Sequence, residues 1–194
     1  MTRQAEGGKA TTAPGLKLQK SIVLVGMMGC GKTAIGRALS AALDVPFRDS
    51  DAEIEAAAQA TIAEIFARDG EAFFRDREAE VIARLLAQSP GILSTGGGAF
   101  LAKRNRDAIG EMGVAVWLNA PLDLLWERVR HKDTRPLLRT ADPFATLSEL
   151  FDKRTPIYAE AAVHVDIAPA ASIDETTATV LETLRNRADI LEPL

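Results

Sequence analysis

The sequence predicts an α/β fold in which a five-stranded parallel sheet is flanked by helices within one domain. Three observations carry this. Short apolar runs at 22–25, around 47, 92–95, 113–118 and 163–167 alternate with stretches of helical periodicity; such alternation implies parallel strands joined by crossover helices, with both sheet faces covered. The first run leads directly into a glycine-rich loop and then a helix. At 194 residues and a hydrophobic share of 47%, the chain is long enough to bury one core, and it shows neither an internal repeat nor a second domain.

Taken in order, residues 1–18 read as a flexible tail ahead of a folded domain at 19–194. They hold Lys, Arg, Gly, Thr and Pro but lack the apolar centre of a secretory signal. Ile22-Val23-Leu24-Val25 forms the first strand, and Gly26-Met27-Met28-Gly29-Cys30-Gly31-Lys32-Thr33 follows it. This spacing fits G-x-x-x-x-G-K-[ST], a loop whose backbone N–H groups surround phosphate oxygens at a helix N-terminus. Gly26, Gly29 and Gly31 permit positive φ and close approach of the phosphate. Lys32 spans the β- and γ-phosphates, and the Thr33 hydroxyl coordinates Mg²⁺. Gly29, Cys30, Gly31, Lys32, Thr33 and Ala34 are therefore the expected contacts of a nucleoside triphosphate.

A helix covers 34–43 and ends at Asp44-Val45-Pro46. A short strand around Phe47 runs into Asp49-Ser50-Asp51; if the backbone stays extended there, both carboxylates face one side. Asp51 also suits the N-cap of a helix beginning near Ala52. Thr61 and Glu64 form a capping-box pattern opening a helix to Arg68, which Asp69-Gly70 breaks. A longer helix runs over 71–88. The strand at 92–95 enters Gly96-Gly97-Gly98, where three consecutive glycines point to close approach by a ligand or another backbone. Helices are expected at 101–109, at 121–130 with Pro121 in the first turn, at 145–161 and at 172–187. The polar stretch 131–143, containing Arg135-Pro136-Leu137-Leu138-Arg139, reads as a mobile segment. Since ligands of such sheets bind at the carboxyl ends of the strands, the site gathers 26–33, Asp49 with Asp51, and 96–98.

A net charge of −4 and a pI near 5.3 argue against a general nucleic-acid binder, which carries a basic patch. No apolar run approaches the roughly 18 residues that span a bilayer. Cys30 is the only cysteine, so no internal disulfide forms and a reducing, cytoplasmic location is expected. A monomer is the default expectation. His131 and His164 do not form a metal-ligand spacing, and Trp117 and Trp126 read as packing residues.

The phosphate loop, Asp49-Ser50-Asp51, Phe74-Arg75 with Glu78, Gly96-Gly97-Gly98, Arg135-Pro136-Leu137-Leu138 and Lys153-Arg154 occur in an order that resembles the shikimate kinase family, over about residues 20–170. The resemblance implies a single-domain P-loop kinase of the nucleoside-monophosphate-kinase type, with a lid at about 131–143 that closes over ATP. It implies transfer of the ATP γ-phosphoryl group to the 3-hydroxyl of shikimate, in aromatic amino acid biosynthesis. By the same resemblance Asp51 holds the ring hydroxyls and accepts a proton, Asp49 reaches Mg²⁺ through water, and Arg75 and Arg154 clamp the substrate carboxylate. Gly97 and Gly98 offer backbone N–H groups to the substrate, Arg135 approaches the transferring phosphate, and Arg130 flanks adenine. Adenine contacts are also expected near 168–172. Glu78, three residues after Arg75, shares its helical face and fixes its rotamer.

Two other readings stand beside this one. A gluconate kinase of the same fold shares the phosphate loop without needing the Arg75 and Arg154 pair. A non-catalytic nucleotide-binding regulatory module is opposed by the full set of Lys32, Thr33, Asp49, Asp51 and Arg135. No Asn-Lys-x-Asp tetrad supports a GTPase switch. Cys30, close to a helix N-terminus, is either an inert small side chain or a thiol that bound ATP shields from alkylation.

Overall fold

The computed structural model describes residues 16–131 and 136–193. Its centre is strand β2, Ser21–Val25, buried along its whole length. Such a strand, covered on both faces, needs an unbroken apolar run rather than an alternating one. The other strands of the main sheet are β3 (Phe47–Asp49), β4 (Ile92–Ser94), β5 (Gly113–Asn119) and β6 (Val163–Asp166). Their order is β3-β4-β2-β5-β6, and every neighbouring pair is parallel. The five strands expected from the sequence are these five. Edge strand β6 alternates, with Val163 and Val165 buried and His164 and Asp166 exposed.

The helices are α1 (Lys32–Leu43), α2 (Ser50–Ala58), α3 (Ile62–Leu86), α4 (Lys103–Met112), α5 (Leu122–Val129), α6 (Pro143–Tyr158) and α7 (Ile173–Arg185). Thr61 caps α3 in a complete capping box with Glu64. Gly70, at φ +84° and ψ 170°, leaves the helical region and kinks α3 where the sequence has Asp69-Gly70. The kink turns Ile65 and Phe74 toward Ile54 of α2, a small cluster apart from the main core. Short 3₁₀ turns occupy Ala99–Leu101 and Pro136–Leu138, the second with Leu138 buried.

Residues 16–18, inside the segment expected to be a tail, are a strand. Leu16–Leu18 form β1, paired antiparallel with β7, Leu191–Pro193. Leu18 and Leu191, opposite each other, are buried. That apolar contact holds two three-residue strands too short to show a periodic signal. Residues 132–135, including Arg135, lie outside the described residues, as do 1–15 and 194.

Candidate active site

Because β3, β4 and β2 are neighbours, the loops leaving their carboxyl ends stand side by side over a cleft of about 500 Å³. The β2 loop supplies the phosphate cradle. Gly26, Gly29 and Gly31 adopt φ of +137°, +85° and +102°, as the motif requires. Close packing fixes them further: a Cβ on Gly26 would lie 2.8 Å from the Leu118 carbonyl oxygen, and one on Gly29 would lie 2.8 Å from Val129. Lys32 Nζ donates to the carbonyls of Gly26, at 2.8 Å, and Met27, at 3.1 Å, so the ammonium is held against the loop. The Cys30 side chain is fully buried and lies outside the cleft lining, with Sγ 3.8 Å from Lys32 Nζ.

The β3 loop supplies two carboxylates, in a manner that the extended-backbone expectation does not capture. The chain turns into α2 immediately after Asp49. Asp49, rather than Asp51, is the N-cap: its Oδ1 accepts from the Asp51 and Ala52 amides at 3.1 and 3.4 Å. Its other oxygen accepts from the Thr33 hydroxyl at 3.3 Å. One carboxylate thus ties α2 to the start of α1. Asp51 lies in the first turn of α2, mostly enclosed. Burial, reinforced by the nearby charges of Asp49 and Glu78, raises its carboxyl to about 6.

The β4 loop is the triple glycine, and each glycine faces a different predicted side chain. A Cβ on Gly96 would lie 2.7 Å from Asp51 Oδ1, one on Gly97 3.6 Å from Arg154 Nη1, and one on Gly98 2.6 Å from Arg75 Nη2. Side chains at 96 and 98 would displace the groups beside them. Arg75 is held by Glu78, with Nη1 to Oε2 at 2.9 Å and Glu78 almost wholly buried, and more loosely by Glu71 at 3.3 Å. Burial opposes the Arg75 charge, but the two carboxylates outweigh it and raise its pKa. Burial raises Glu78 as well, against the pull of Arg75. Arg154 is buried on α6.

Gly29, Gly31, Lys32, Thr33, Ala34, Asp49, Asp51 and Gly97 line the cleft, and Gly98, Arg75 and Arg154 adjoin its β4 end. Arg130 does not reach it: it is exposed, and the lining residue is Arg128. Arg128 Nη1 donates to the carbonyls of Gly29 and Cys30 at 3.3 and 3.4 Å. The helical period contained this signal, since Arg128 is three and four residues after the buried Leu125 and Leu124, on the face that packs inward, while Arg130 is not. Ala171 and Ser172, within the 168–172 stretch expected to meet adenine, line the far end, together with Ile167, Ile173 and Thr176, which the sequence did not mark. His131 is exposed; His164 Nε2 lies within 3.1 Å of the Ala159 and Ala161 carbonyls, away from the cleft.

This arrangement has close relatives. The shikimate kinase family model matches residues 28–185. A shikimate kinase of Ruegeria pomeroyi is 62% identical over 175 residues, covering 90% of each chain. The structure of a shikimate kinase from Acinetobacter baumannii in complex with shikimate superposes with a TM-score of 0.81 at 37% identity, over 87% of this chain and 94% of that one. A gluconokinase from Sinorhizobium meliloti shares the fold alone, with a TM-score of 0.60 at 21% identity, over 89% of this chain and 95% of that one. The chain belongs to the shikimate kinase family.

Proposed function

We propose that the cleft binds ATP along the β2 loop and shikimate against the triple glycine, and that it directs the γ-phosphoryl group of ATP onto the shikimate 3-hydroxyl. The observation that carries the assignment of residues is the convergence of Asp51, Arg154 and Arg75 on Gly96, Gly97 and Gly98. Two guanidiniums beside a buried carboxylate suit a substrate with one carboxylate and several hydroxyls. The arginines grip the carboxylate and orient the ring, and Asp51 accepts from the hydroxyls.

A loose phosphoryl-transfer transition state depends on alignment and charge neutralisation more than on a strong base. Lys32 supplies charge at the phosphates. Asp51, with its carboxyl at about 6, is mostly ionised at neutral pH and takes the proton leaving the attacking hydroxyl. Thr33 would hold Mg²⁺ directly and Asp49 through water; their side-chain oxygens lie 3.3 Å apart at the cleft wall. Mg²⁺ accepts few protein ligands beside phosphate oxygens and water, and no group of three or more His, Cys, Asp or Glu forms a metal cage among the described residues. The ion, when bound, would supply positive charge at the triphosphate. Arg128 braces the phosphate loop, and residues 167–176 enclose the base.

Residues 131–143 act as the lid and bring in Arg135; slower hydrogen exchange there with both substrates bound is the expected result. The acidic chain, its single buried cysteine, and the lack of a membrane-spanning helix among the described residues suit a monomeric cytoplasmic enzyme. The test is ADP release from Mg-ATP with shikimate, quinate and gluconate, in wild type and Arg75→Ala. Shikimate-dependent turnover that collapses in the variant is expected. Nucleotide binding without turnover on any of the three would sink the assignment.

A further inference from the structure

Tyr158 is a buried phenol to which the site described above gives no role. It closes α6, four residues after Arg154, so the two share one face of the helix. That face meets Gly97 twice. Arg154 approaches the position a Gly97 Cβ would take, and the Tyr158 hydroxyl donates to the Gly97 carbonyl. The same hydroxyl is 4.0 Å from Met27 Sδ in the phosphate loop. Its ring stacks on Trp117, with centroids 6.3 Å apart at 28°, and Tyr158 is 1% exposed.

The consequence follows from peptide geometry. In a trans peptide the C=O and the following N–H point in opposite directions. The Gly96 carbonyl accepts from the Ala99 amide at 3.0 Å, which sets the direction of the Gly97 N–H. The Gly97 carbonyl is held by Tyr158, which sets the direction of the Gly98 N–H. Among the described residues neither of these amides has a protein acceptor. Three glycines in succession otherwise leave the peptide planes free to rotate.

We propose that Tyr158 is a positioning residue for the substrate: its hydroxyl holds the 97–98 peptide so that the Gly98 N–H faces shikimate. The inference rests on the reading of Gly97–Gly98 as a substrate-binding turn. It makes α6 a two-part support, with Arg154 meeting the substrate and Tyr158 setting the backbone beside it. Burial raises the phenol to about 12, so the hydroxyl keeps its proton throughout the working range and always donates.

Tyr158→Phe keeps the ring against Trp117 and deletes only the donor. The shikimate KM is expected to rise about five- to tenfold, with kcat changed less and the ATP KM within about twofold. Leu147→Val, fully buried elsewhere in α6, controls for lost stability: its Tm falls while its shikimate KM stays. A Tyr158→Phe enzyme with lowered Tm and unchanged shikimate KM overturns the proposal, as does equal weakening of both substrates. Gly97→Ala separates this from the underlying reading, because its methyl meets only ordinary contacts at 3.6 Å and beyond. If Gly97→Ala weakens shikimate and Tyr158→Phe does not, the turn binds substrate without help from Tyr158. If neither variant weakens it, the turn reading itself fails.

Discussion

At the end of the cleft proposed for ATP, the phosphate cradle comes from one continuous stretch of backbone whose glycines are fixed by their own φ angles; at the end proposed for shikimate, side chains on α2, α3 and α6 meet at three glycines. The first is local geometry, set by eight consecutive residues and anchored on the most buried strand. The second exists only after the chain has folded, because Asp51, Arg75 and Arg154 are distant in sequence. A backbone cradle excludes side chains at its glycines but binds any similar phosphate. Converging side chains select one substrate and fail individually.

Four measurements sharpen or break that contrast. The largest effect is expected for Lys32→Ala. Losing the charge at the transferring phosphate lowers kcat/KM by about 10²- to 10³-fold, with shikimate affinity measured by calorimetry unchanged; a matching loss of shikimate affinity would show that the two ends are not separate. Arg154→Ala comes next, raising the shikimate KM roughly 10- to 100-fold through loss of one charge-assisted grip. Steady-state kinetics with ATP varied should show a nearly constant ATP KM.

Asp51 gives the third, through stability and pH together. Its folded-state pKa, about 6, exceeds the ordinary 3.8, so the folded state loses stability as pH rises from near 4 through 6, and above 6 that loss is complete. Asp51→Asn should therefore gain about 3 kcal/mol at pH 7 to 8, seen in denaturant unfolding, and nothing near pH 3.5, while its activity is lost. In the wild type, shikimate kcat/KM should drop about tenfold per pH unit below 6. A flat profile from pH 7 to 5 would remove Asp51 as proton acceptor. The smallest effect belongs to Cys30. Since its side chain is fully buried behind the phosphate loop, alkylation should be slow without nucleotide and little slower with it; rapid, ATP-sensitive labelling would mean that the loop opens.

The legibility of the sequence divides along the same line. The phosphate loop and five-strand alternation were readable because each depends on neighbouring residues: a glycine spacing, an unbroken apolar run, a kink at Gly70. Asp49 and Asp51 were identified as a pair, but the N-cap that Asp51 was thought to suit belongs to Asp49. Whether strand or helix follows Asp49 is decided by its own side chain, which turns back to accept the Asp51 and Ala52 amides. Arg75 and Arg154 were placed by resemblance, since an arginine on a helix surface carries no local mark of what it will face. Arg130 was likewise placed by resemblance, whereas the inward period of α5 brings Arg128 to the cleft. The β1–β7 pair left no trace, as three residues cannot display a pattern and their partner lies at the opposite end of the chain.

That small ribbon has a practical consequence. Leu16 pairs with Pro193, so the two ends of the described domain meet on one surface. A few flexible residues can bridge them, and the chain can be reopened at an exposed loop remote from the cleft. Such a circular permutant would keep every strand neighbour while changing the order in which the two halves of the active site are synthesised.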